Sequence, residues 1–243
     1  MKLSVHPDYQ SVSRATADLI AEYIRLKEKS LVCLASGHSP RGVFSCLIED
    51  VRSDKLRLDG CTFVSLDEWI GIPANRKGSC RAMMDEDLFG PLSISESHIR
   101  FFDGMSKDPE GEAKDMNTFI NSYGGLDVML VGVGTNGHIA MNEPGTSFEE
   151  PAHISTLAEE TKIVGQKYFD DTTELSRGIT LGLKNFRQSK LPILIANGEK
   201  KASIIQRALS SAATESIPAT IVHLMDHAYV MLDEEAYKLV ATA

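Results

Sequence analysis

Apolar residues follow two alternating patterns along the chain. In one pattern they recur at helical spacing among charged residues, as in the opening segment 8–29. In the other they form short uninterrupted runs, which are typical of strands buried on both faces. The helical pattern predicts helices over residues 8–29, 43–49, 81–88, 112–123, 161–169 and 200–209. The apolar runs predict strands over residues 30–35, 62–66, 98–102, 128–131, 178–181, 191–196, 219–223 and 228–232.

This alternation of strands and helices predicts the fold class. Strands separated by helices are typical of α/β proteins, in which helices cover both faces of a parallel sheet. We therefore expect a doubly wound, mostly parallel sheet of the Rossmann-like type. Because the chain has 243 residues and no segment that reads as a linker, a single domain over residues 1–243 is expected.

Composition and charge limit the kinds of partner and the cellular setting that are expected for the protein. The formal net charge of −9 disfavours binding to nucleic acid or to an anionic membrane surface, so a small-molecule partner is expected. No stretch reaches the roughly 20 apolar residues that span a bilayer, and the N-terminus lacks the pattern of a secretory signal. The four cysteines show no C-x-x-C spacing, so reduced, structural thiols in a cytoplasmic protein are expected.

Candidate chemistry stands at the ends of two predicted strands. One strand stops at the acidic pair Asp67 and Glu68, and another is followed by glycines and then by His138 and Glu143. Because the carboxyl ends of parallel strands meet at one edge of a sheet, these groups are expected to share a cleft. Asp67 follows an apolar run, and burial there would raise its pKa toward that of a general base. The alternative for Asp67 is a cap of the following turn.

His138 and Glu143 lie five positions apart on a glycine-containing segment. A turning loop would bring them within hydrogen-bond reach, which holds an imidazole in one tautomer and favours its protonated form. The alternative is a core histidine beside a surface glutamate. No second His or Cys stands at a metal-ligand spacing from His138, and the G-x-S-x-G elbow of serine hydrolases is absent.

Two segments are candidates for binding a phosphate group. Residues 36–42 follow a predicted strand and lead into a helix, so backbone N–H groups and the Ser39 hydroxyl could bind an anion there. Lys200 and Lys201 fall in the first turn of a helix, where an anion would relieve their conflict with the helix dipole. Taken alone, the first segment is more typical of an ordinary βα turn, and the lysines are more typical of a solvated surface.

Five segments together resemble a known family. In their order and spacing they resemble the glucosamine-6-phosphate deaminase and 6-phosphogluconolactonase superfamily over nearly the whole chain. The resemblance implies the glucosamine-6-phosphate deaminase type of α/β fold, a sugar phosphate substrate, and no redox cofactor or metal. It allows a homo-oligomer. The segments are residues 36–40 (SGHSP), 65–71 (SLDEWIG), 132–144 (GVGTNGHIAMNEP), 178–182 (GITLG) and 198–202 (GEKKA).

Within this superfamily, the form GHIAMNEP at residues 137–144 resembles the deaminase branch rather than the lactonases. Residues 66–69, 136–138, 142–145 and 177–184 resemble galactosamine-6-phosphate isomerases more than the glucosamine enzymes. The implied reaction converts galactosamine 6-phosphate, or glucosamine 6-phosphate, to tagatose or fructose 6-phosphate and ammonia. The alternatives are a 6-phosphogluconolactonase and a catalytically decayed regulator that binds a sugar phosphate.

The resemblance also implies roles for individual residues. Asp67 becomes the base that moves a proton between C2 and C1 of the opened sugar. His138 becomes the acid and base of ring opening, with Glu143 as its partner. Lys167 falls where the glucosamine enzymes carry a substrate-contacting arginine. The implied substrate and phosphate ligands are Gly37, His38, Ser39, Lys167 and Lys201.

Two departures from the family pattern alter these expectations. Asn136 stands where the glucosamine deaminases place an aspartate beside the His–Glu unit, and a neutral amide cannot raise the basicity of the histidine by charge. His153 and Ser155 stand where the regulated hexameric enzymes carry basic residues of an allosteric site. Allosteric activation by an amino-sugar phosphate is therefore not expected.

Overall fold

The computed structural model describes residues 1–240. The strands are β1 (Lys2–His6), β2 (Leu31–Leu34), β3 (Thr62–Val64), β4 (Asp67–Trp69), β5 (Ile99–Arg100), β6 (Val128–Val131), β7 (His153–Thr156), β8 (Arg177–Thr180), β9 (Leu191–Ala196) and β10 (Tyr229–Asp233). The α-helices are α1 (Tyr9–Leu26), α2 (Arg41–Arg52), α3 (Cys80–Met84), α4 (Pro109–Ser122), α5 (Glu159–Gln166), α6 (Leu183–Gln188), α7 (Ala202–Ser210) and α8 (Glu234–Tyr237). A π-helical turn (Asp85–Phe89) continues α3, and 3₁₀ turns occupy Glu96–His98, Glu199–Lys201 and Pro218–Leu224.

Seven strands form a central sheet in the order β1-β10-β9-β6-β2-β3-β5, and every neighbouring pair is parallel. From β2 the chain moves outward through β3 to the edge strand β5, and it then returns to β6 on the other side of β2. The loops that leave β2 and β6 therefore diverge, which opens a crevice at the C-terminal ends of these two strands. The predicted mostly parallel sheet is confirmed.

The central strands are buried on both faces, which explains their uninterrupted apolar sequences. In β2, Leu31 and Cys33 pack into one apolar cluster with helix α4, whereas Val32 and Leu34 pack into the other cluster with helix α1. The two faces of the sheet are thus covered by different helices, as the alternation of strands and helices predicted.

A second sheet is small and antiparallel, with the order β4-β8-β7. In this sheet, Asp67 of β4 and His153 of β7 both lie opposite Thr180 of β8. The strand β4 begins three residues after β3 ends, so the small sheet fixes Asp67 just beyond the C-terminal edge of the central sheet.

The predicted secondary structure differs from the observed one at several elements, and the short helices α6 and α8 are among those not predicted. Residues 219–223, predicted as a strand, lie in the 3₁₀ turn Pro218–Leu224. Periodicity cannot distinguish a strand from a helical turn in a short apolar run, and Pro218 starts the turn with a φ angle suited to it. The strands β1, β4 and β7 were not predicted, because each is at most five residues long and carries polar or charged side chains.

A buried carboxylate anchors the start of β6. The Asp127 side chain is 1% exposed and accepts hydrogen bonds from Lys27 Nζ at 2.7 Å, Lys190 Nζ at 2.9 Å and the Leu31 backbone N–H at 2.9 Å. Burial raises the pKa of Asp127, but these hydrogen bonds outweigh burial, so its pKa lies below the ordinary value. The cluster ties α1, β2 and the segment before β9 to β6.

The cysteines are free thiols, and Cys33, Cys61 and Cys80 are buried. Burial raises the pKa of each of these three thiols, so they stay protonated near neutral pH. Across residues 1–240, no helix is both long and apolar enough to cross a bilayer.

Candidate active site

A cavity of about 550 Å³ opens at the C-terminal edge of the central sheet. Its walls come from the loops after β2, β6 and β9, from β4, and from one side of α5. This is the crevice where the strand order reverses, and its volume suits a small-molecule ligand. Of the residues predicted from the sequence, the cavity is lined by His38, Ser39, Asp67, Asn136, His138, Lys167 and Lys201.

Asp67 presents a buried carboxyl group to this cavity. Asp67 is 8% exposed, and the pairing of β4 with β8 holds it in place. Burial raises the pKa of Asp67 to about 6, against the opposing effect of a hydrogen bond with the Cys80 side chain. The carboxylate is thus ionised near neutral pH but is a stronger base than an exposed aspartate, which suits proton transfer.

Glu68 points away from the cavity, because successive side chains of a strand point to opposite faces. Its carboxylate is fully buried and accepts hydrogen bonds from the backbone N–H groups of Trp69, Cys80 and Arg81 at 2.8 to 2.9 Å. Burial raises the pKa of Glu68 to about 7, against the effect of these N–H groups. Glu68 therefore caps the start of α3, and the structure does not bring it together with His138.

His138 lies on the loop that follows β6. Its imidazole ring packs flat against Gly134, where an added Cβ would come within 2.2 to 2.4 Å of three ring atoms. The Nδ1 atom lies 3.2 Å from Thr161 Oγ1 and 3.8 Å from Glu143 Oε2. Burial lowers the pKa of His138, the Glu143 carboxylate raises it, and the Lys201 ammonium lowers it. The net direction is downward, so the ring is neutral near pH 7.

Glu143 is 8% exposed and lies behind the imidazole rather than on the surface. Its Oε2 atom accepts a hydrogen bond of 2.9 Å from Asn136 Nδ2, and its Oε1 atom accepts one of 3.2 Å from the Ala158 backbone N–H. Asn136 Oδ1 accepts the His138 backbone N–H at 3.1 Å. The amide of Asn136 thus joins the histidine loop to the carboxylate, although it adds no negative charge.

The loop after β2 is shaped by Gly37 and by Tyr9. Gly37 has a φ angle of +98°, which favours glycine, and it makes the turn without lining the cavity itself. The Tyr9 hydroxyl donates to the carbonyl groups of His38 and Ser39 and accepts the Gly42 backbone N–H at 2.7 Å. These contacts turn the His38 and Ser39 side chains toward the cavity at the start of α2.

Three lysines, Lys167, Lys200 and Lys201, also line the cavity. Lys201 donates to the Val133 carbonyl oxygen at 2.6 Å, and Lys167 Nζ lies 5.0 Å from the centre of the Tyr168 ring. Burial lowers the pKa of Lys201, and the positive charge of Lys167 lowers it further. Burial also lowers the pKa of Lys167, and the positive charge of Lys200 adds to that effect. Among residues 1–240, none of the three forms an ion pair with a carboxylate. Such a group of unneutralised cations favours a dianionic ligand.

The site also contains residues that the sequence did not identify. Thr161 contacts His138 from α5, and the Tyr168 hydroxyl lies 3.4 Å from His38 Nδ1. Both residues are far from the glycine-rich loops in the sequence, and no local motif marks them. The predicted helix over residues 161–169 contains the expected substrate ligand Lys167, but nothing in its sequence singled out Thr161 or Tyr168.

Comparison with known proteins agrees with this architecture. The profile of the family described as glucosamine-6-phosphate isomerases/6-phosphogluconolactonase matches residues 8–231. A glucosamine-6-phosphate deaminase of Lachnoclostridium phytofermentans is 36% identical over 225 residues, covering 92% of this chain and 95% of the relative. One from a Geobacillus species is 34% identical over 241 residues, covering 99% and 96%.

Two solved structures share this fold. A monomeric glucosamine-6-phosphate deaminase superposes with a TM-score of 0.95 at 30% identity, covering 98% of this chain and all of its own. The 6-phosphogluconolactonase of Trypanosoma brucei superposes with a TM-score of 0.79 at 21% identity, covering 98% and 97%, which shows a shared fold. The protein therefore belongs to the family of glucosamine-6-phosphate isomerases and 6-phosphogluconolactonases.

Proposed function

We propose that the protein converts a 2-amino-2-deoxyhexose 6-phosphate into the corresponding ketohexose 6-phosphate and ammonia. One observation carries this proposal. A single cavity has a buried aspartate of raised pKa on one wall, a neutral imidazole on another, and three lysines without anionic partners on a third. Proton transfer on a phosphorylated substrate requires these three features together.

The phosphate group would bind between the lysines and the loop after β2. Lys167, Lys200 and Lys201 supply positive charge, and the Ser39 hydroxyl and the start of α2 supply hydrogen-bond donors. Binding of the phosphate would raise the depressed pKa values of Lys167 and Lys201, because a dianion stabilises their charged forms.

His138 would open the sugar ring. Opening of the cyclic hemiacetal removes a proton from the C1 hydroxyl group and delivers one to the ring oxygen. The neutral imidazole accepts the first proton and returns it to the ring oxygen, and the nearby Glu143 carboxylate stabilises the transient imidazolium.

Asp67 would then act on the open-chain aldehyde. Its carboxylate removes the proton from C2, the electron pair of the C2–H bond forms the C1–C2 double bond, and the π pair of the C1 carbonyl moves to O1, which takes a proton from water to give an enolamine. The same carboxyl group then returns its proton to C1, while the nitrogen lone pair forms the C2–N double bond and the nitrogen gives a proton back to the hydroxide, which leaves a ketimine at C2. Water adds to the ketimine carbon, and ammonia leaves as the keto group forms. A base with a pKa of about 6 is ionised at neutral pH and matches this two-way transfer.

The preferred epimer is the finer part of the proposal. The motif resemblance favours galactosamine 6-phosphate, and this preference stays a prediction, whereas the relatives at 36% and 34% identity are named for glucosamine 6-phosphate. The absence of allosteric activation is likewise a prediction from His153 and Ser155, and cytoplasmic localisation is a prediction from composition.

The test is a side-by-side assay of the purified protein on galactosamine 6-phosphate, glucosamine 6-phosphate and 6-phosphogluconolactone. Ammonia and a ketohexose phosphate from either amino sugar are the expected products, and the ratio of kcat/KM values gives the epimer preference. Acid release from the lactone without ammonia would assign the alternative lactonase activity. Binding of the phosphates without any turnover would support the decayed regulator instead.

A further inference from the structure

The imidazole of His138 has an unexpected nearest partner. Its Nδ1 atom lies 3.2 Å from the Thr161 hydroxyl, within hydrogen-bond distance, whereas the Glu143 carboxylate is 3.8 Å away. Glu143 is held at that distance by two other donors, since Asn136 Nδ2 binds one of its oxygens and the Ala158 N–H binds the other. The carboxylate therefore acts on the ring through its charge, and the hydroxyl makes the direct contact.

Thr161 is held by a helix, α5, and not by the histidine loop itself. It lies in the first turn of α5 and is 6% exposed. The Ala158 N–H at the start of this helix donates a hydrogen bond to Glu143 Oε1, which fixes the helix and the carboxylate relative to each other. The imidazole ring is thus held by two contacts: its face packs on Gly134, and its Nδ1 atom contacts the Thr161 hydroxyl.

The other ring nitrogen is left for substrate. Among the described residues, Nε2 of His138 makes no hydrogen bond, and the residue lines the cavity. A proton on Nδ1 points toward a hydroxyl oxygen that can accept it and toward a carboxylate charge that stabilises it. With the proton on Nε2, the Thr161 hydroxyl would donate to Nδ1 instead, but the unprotonated Nδ1 would then face the Glu143 carboxylate, so the two contacts together favour the Nδ1–H tautomer with the hydroxyl as acceptor.

We propose that Thr161 is the positioning residue that holds His138 as the Nδ1–H tautomer and thereby leaves Nε2 as the proton-exchanging atom. The catalytic consequence rests on the proposed function, whereas the tautomer itself does not. Thr161 carries no charge, so it selects the tautomer without adding to the opposing charges of Glu143 and Lys201 that face the ring.

Nitrogen-15 NMR of histidine-labelled protein at about pH 8 tests the proposal directly, with His138 assigned by its loss in His138→Gln. The wild-type protein is expected to show Nδ1–H. Thr161→Val and Thr161→Ala, which remove the hydroxyl, are expected to give a mixture of tautomers, and Thr161→Ser is expected to restore Nδ1–H. Thr16→Val is the matched control, because Thr16 is also a buried helical threonine and its hydroxyl binds only Val12 O in α1.

Either a wild-type Nε2–H signal or an unchanged Nδ1–H signal in both hydroxyl-free variants would overturn the proposal. If Thr161→Val does not fold, Thr161→Ala removes the same hydroxyl without adding a new branch, and circular dichroism establishes which variant is folded. These signals do not depend on turnover, so a protein inactive on every amino-sugar phosphate would refute the proposed function and leave the tautomer result standing.

Kinetics supply the second readout. Losing the contact is expected to lower kcat about tenfold in Thr161→Val, with KM nearly unchanged because the lysines remain in place, and Thr161→Ser is expected to recover most of the loss. An equal loss in Thr161→Ser and Thr161→Val would contradict a role for the hydroxyl. A rise in KM alone would contradict it as well.

Discussion

Gly134→Ala offers a sharp test of how the imidazole is held. The His138 ring packs so closely on Gly134 that a Cβ atom there would lie 2.2 Å from Cε1 and 2.4 Å from Nδ1 and Nε2. Ordinary van der Waals contact begins at about 3.4 Å, so the ring must move by about 1 Å to make room. That movement carries Nδ1 away from Thr161 and Nε2 away from its place in the cavity.

A displacement of about 1 Å in a catalytic group costs roughly 100-fold in rate, or about 2.7 kcal/mol of transition-state stabilisation. We therefore expect kcat for ammonia release to fall about 100-fold in Gly134→Ala. The KM should change little, because the proposed phosphate ligands Lys167, Lys200 and Lys201 are unchanged in this variant. The fold should persist, since Gly134 does not have a positive φ angle and alanine can adopt its conformation.

Gly132→Ala is the matched control for this variant. Gly132 lies two residues earlier on the same loop, also without a positive φ angle, and a Cβ there would meet nothing within 4 Å. Both variants add one methyl group to the cavity wall, so only the excess loss in Gly134→Ala reports on the ring. Equal kcat values in the two variants would refute the proposed dependence on imidazole position.

Three further predictions concern charge. Lys201→Ala should raise KM by at least about tenfold with a smaller change in kcat, because it removes a proposed charged ligand of the phosphate group; a loss confined to kcat would contradict this. Asp67→Asn should increase the free energy of unfolding by about 3 kcal/mol at pH 8, because the raised pKa of about 6 penalises the folded ionised form, and the gain should vanish below about pH 4. Denaturant titrations at pH 8 and below about pH 4 measure the free energy of unfolding of the variant and the wild type. Equal free energies of unfolding at pH 8 would refute the raised pKa. Asp127→Asn should cost about 2 kcal/mol at pH 7, since Lys27 and Lys190 are half-exposed. Because the pKa of Asp127 is lowered, its contribution is present above about pH 4 and is lost as acid protonates it, so a difference from wild type that does not shrink as the pH falls below about 4 would contradict this assignment.

The sequence predicted the parts of the fold that depend on burial. The strands β2, β6 and β9 are sandwiched between helices, so their sequences are continuously apolar and could be recognised. The edge strand β1 could not, because it has only two apolar residues, Leu3 and Val5, both exposed, and an alternation over five residues is too short to stand out. Its assignment depends on pairing with β10, which is more than 200 residues away in the sequence.

The residues of the candidate site were likewise predicted only in part. Asp67, His138 and Lys201 follow strand ends, and topology alone brings such residues to one edge of the sheet. The sequence placed Glu68 beside Asp67 in the same cleft, but the pleat of β4 turns Glu68 toward α3. Thr161 could not be predicted, because its contact with His138 depends on how α5 packs across the cavity.

The central claim is that Asp67 carries a proton between C2 and C1 of an opened hexosamine phosphate. Turnover in D₂O by the wild-type protein should give ketohexose phosphate with hydrogen delivered to a single prochiral position of C1, because one carboxyl group acts from one face. Asp67→Asn should release ammonia at less than about one-hundredth of the wild-type rate while still binding a 2-amino-2-deoxyhexitol 6-phosphate, the open-chain substrate analogue without a carbonyl group. Ammonia release by Asp67→Asn near the wild-type rate, or labelling at both positions of C1 by the wild-type protein, would contradict the account.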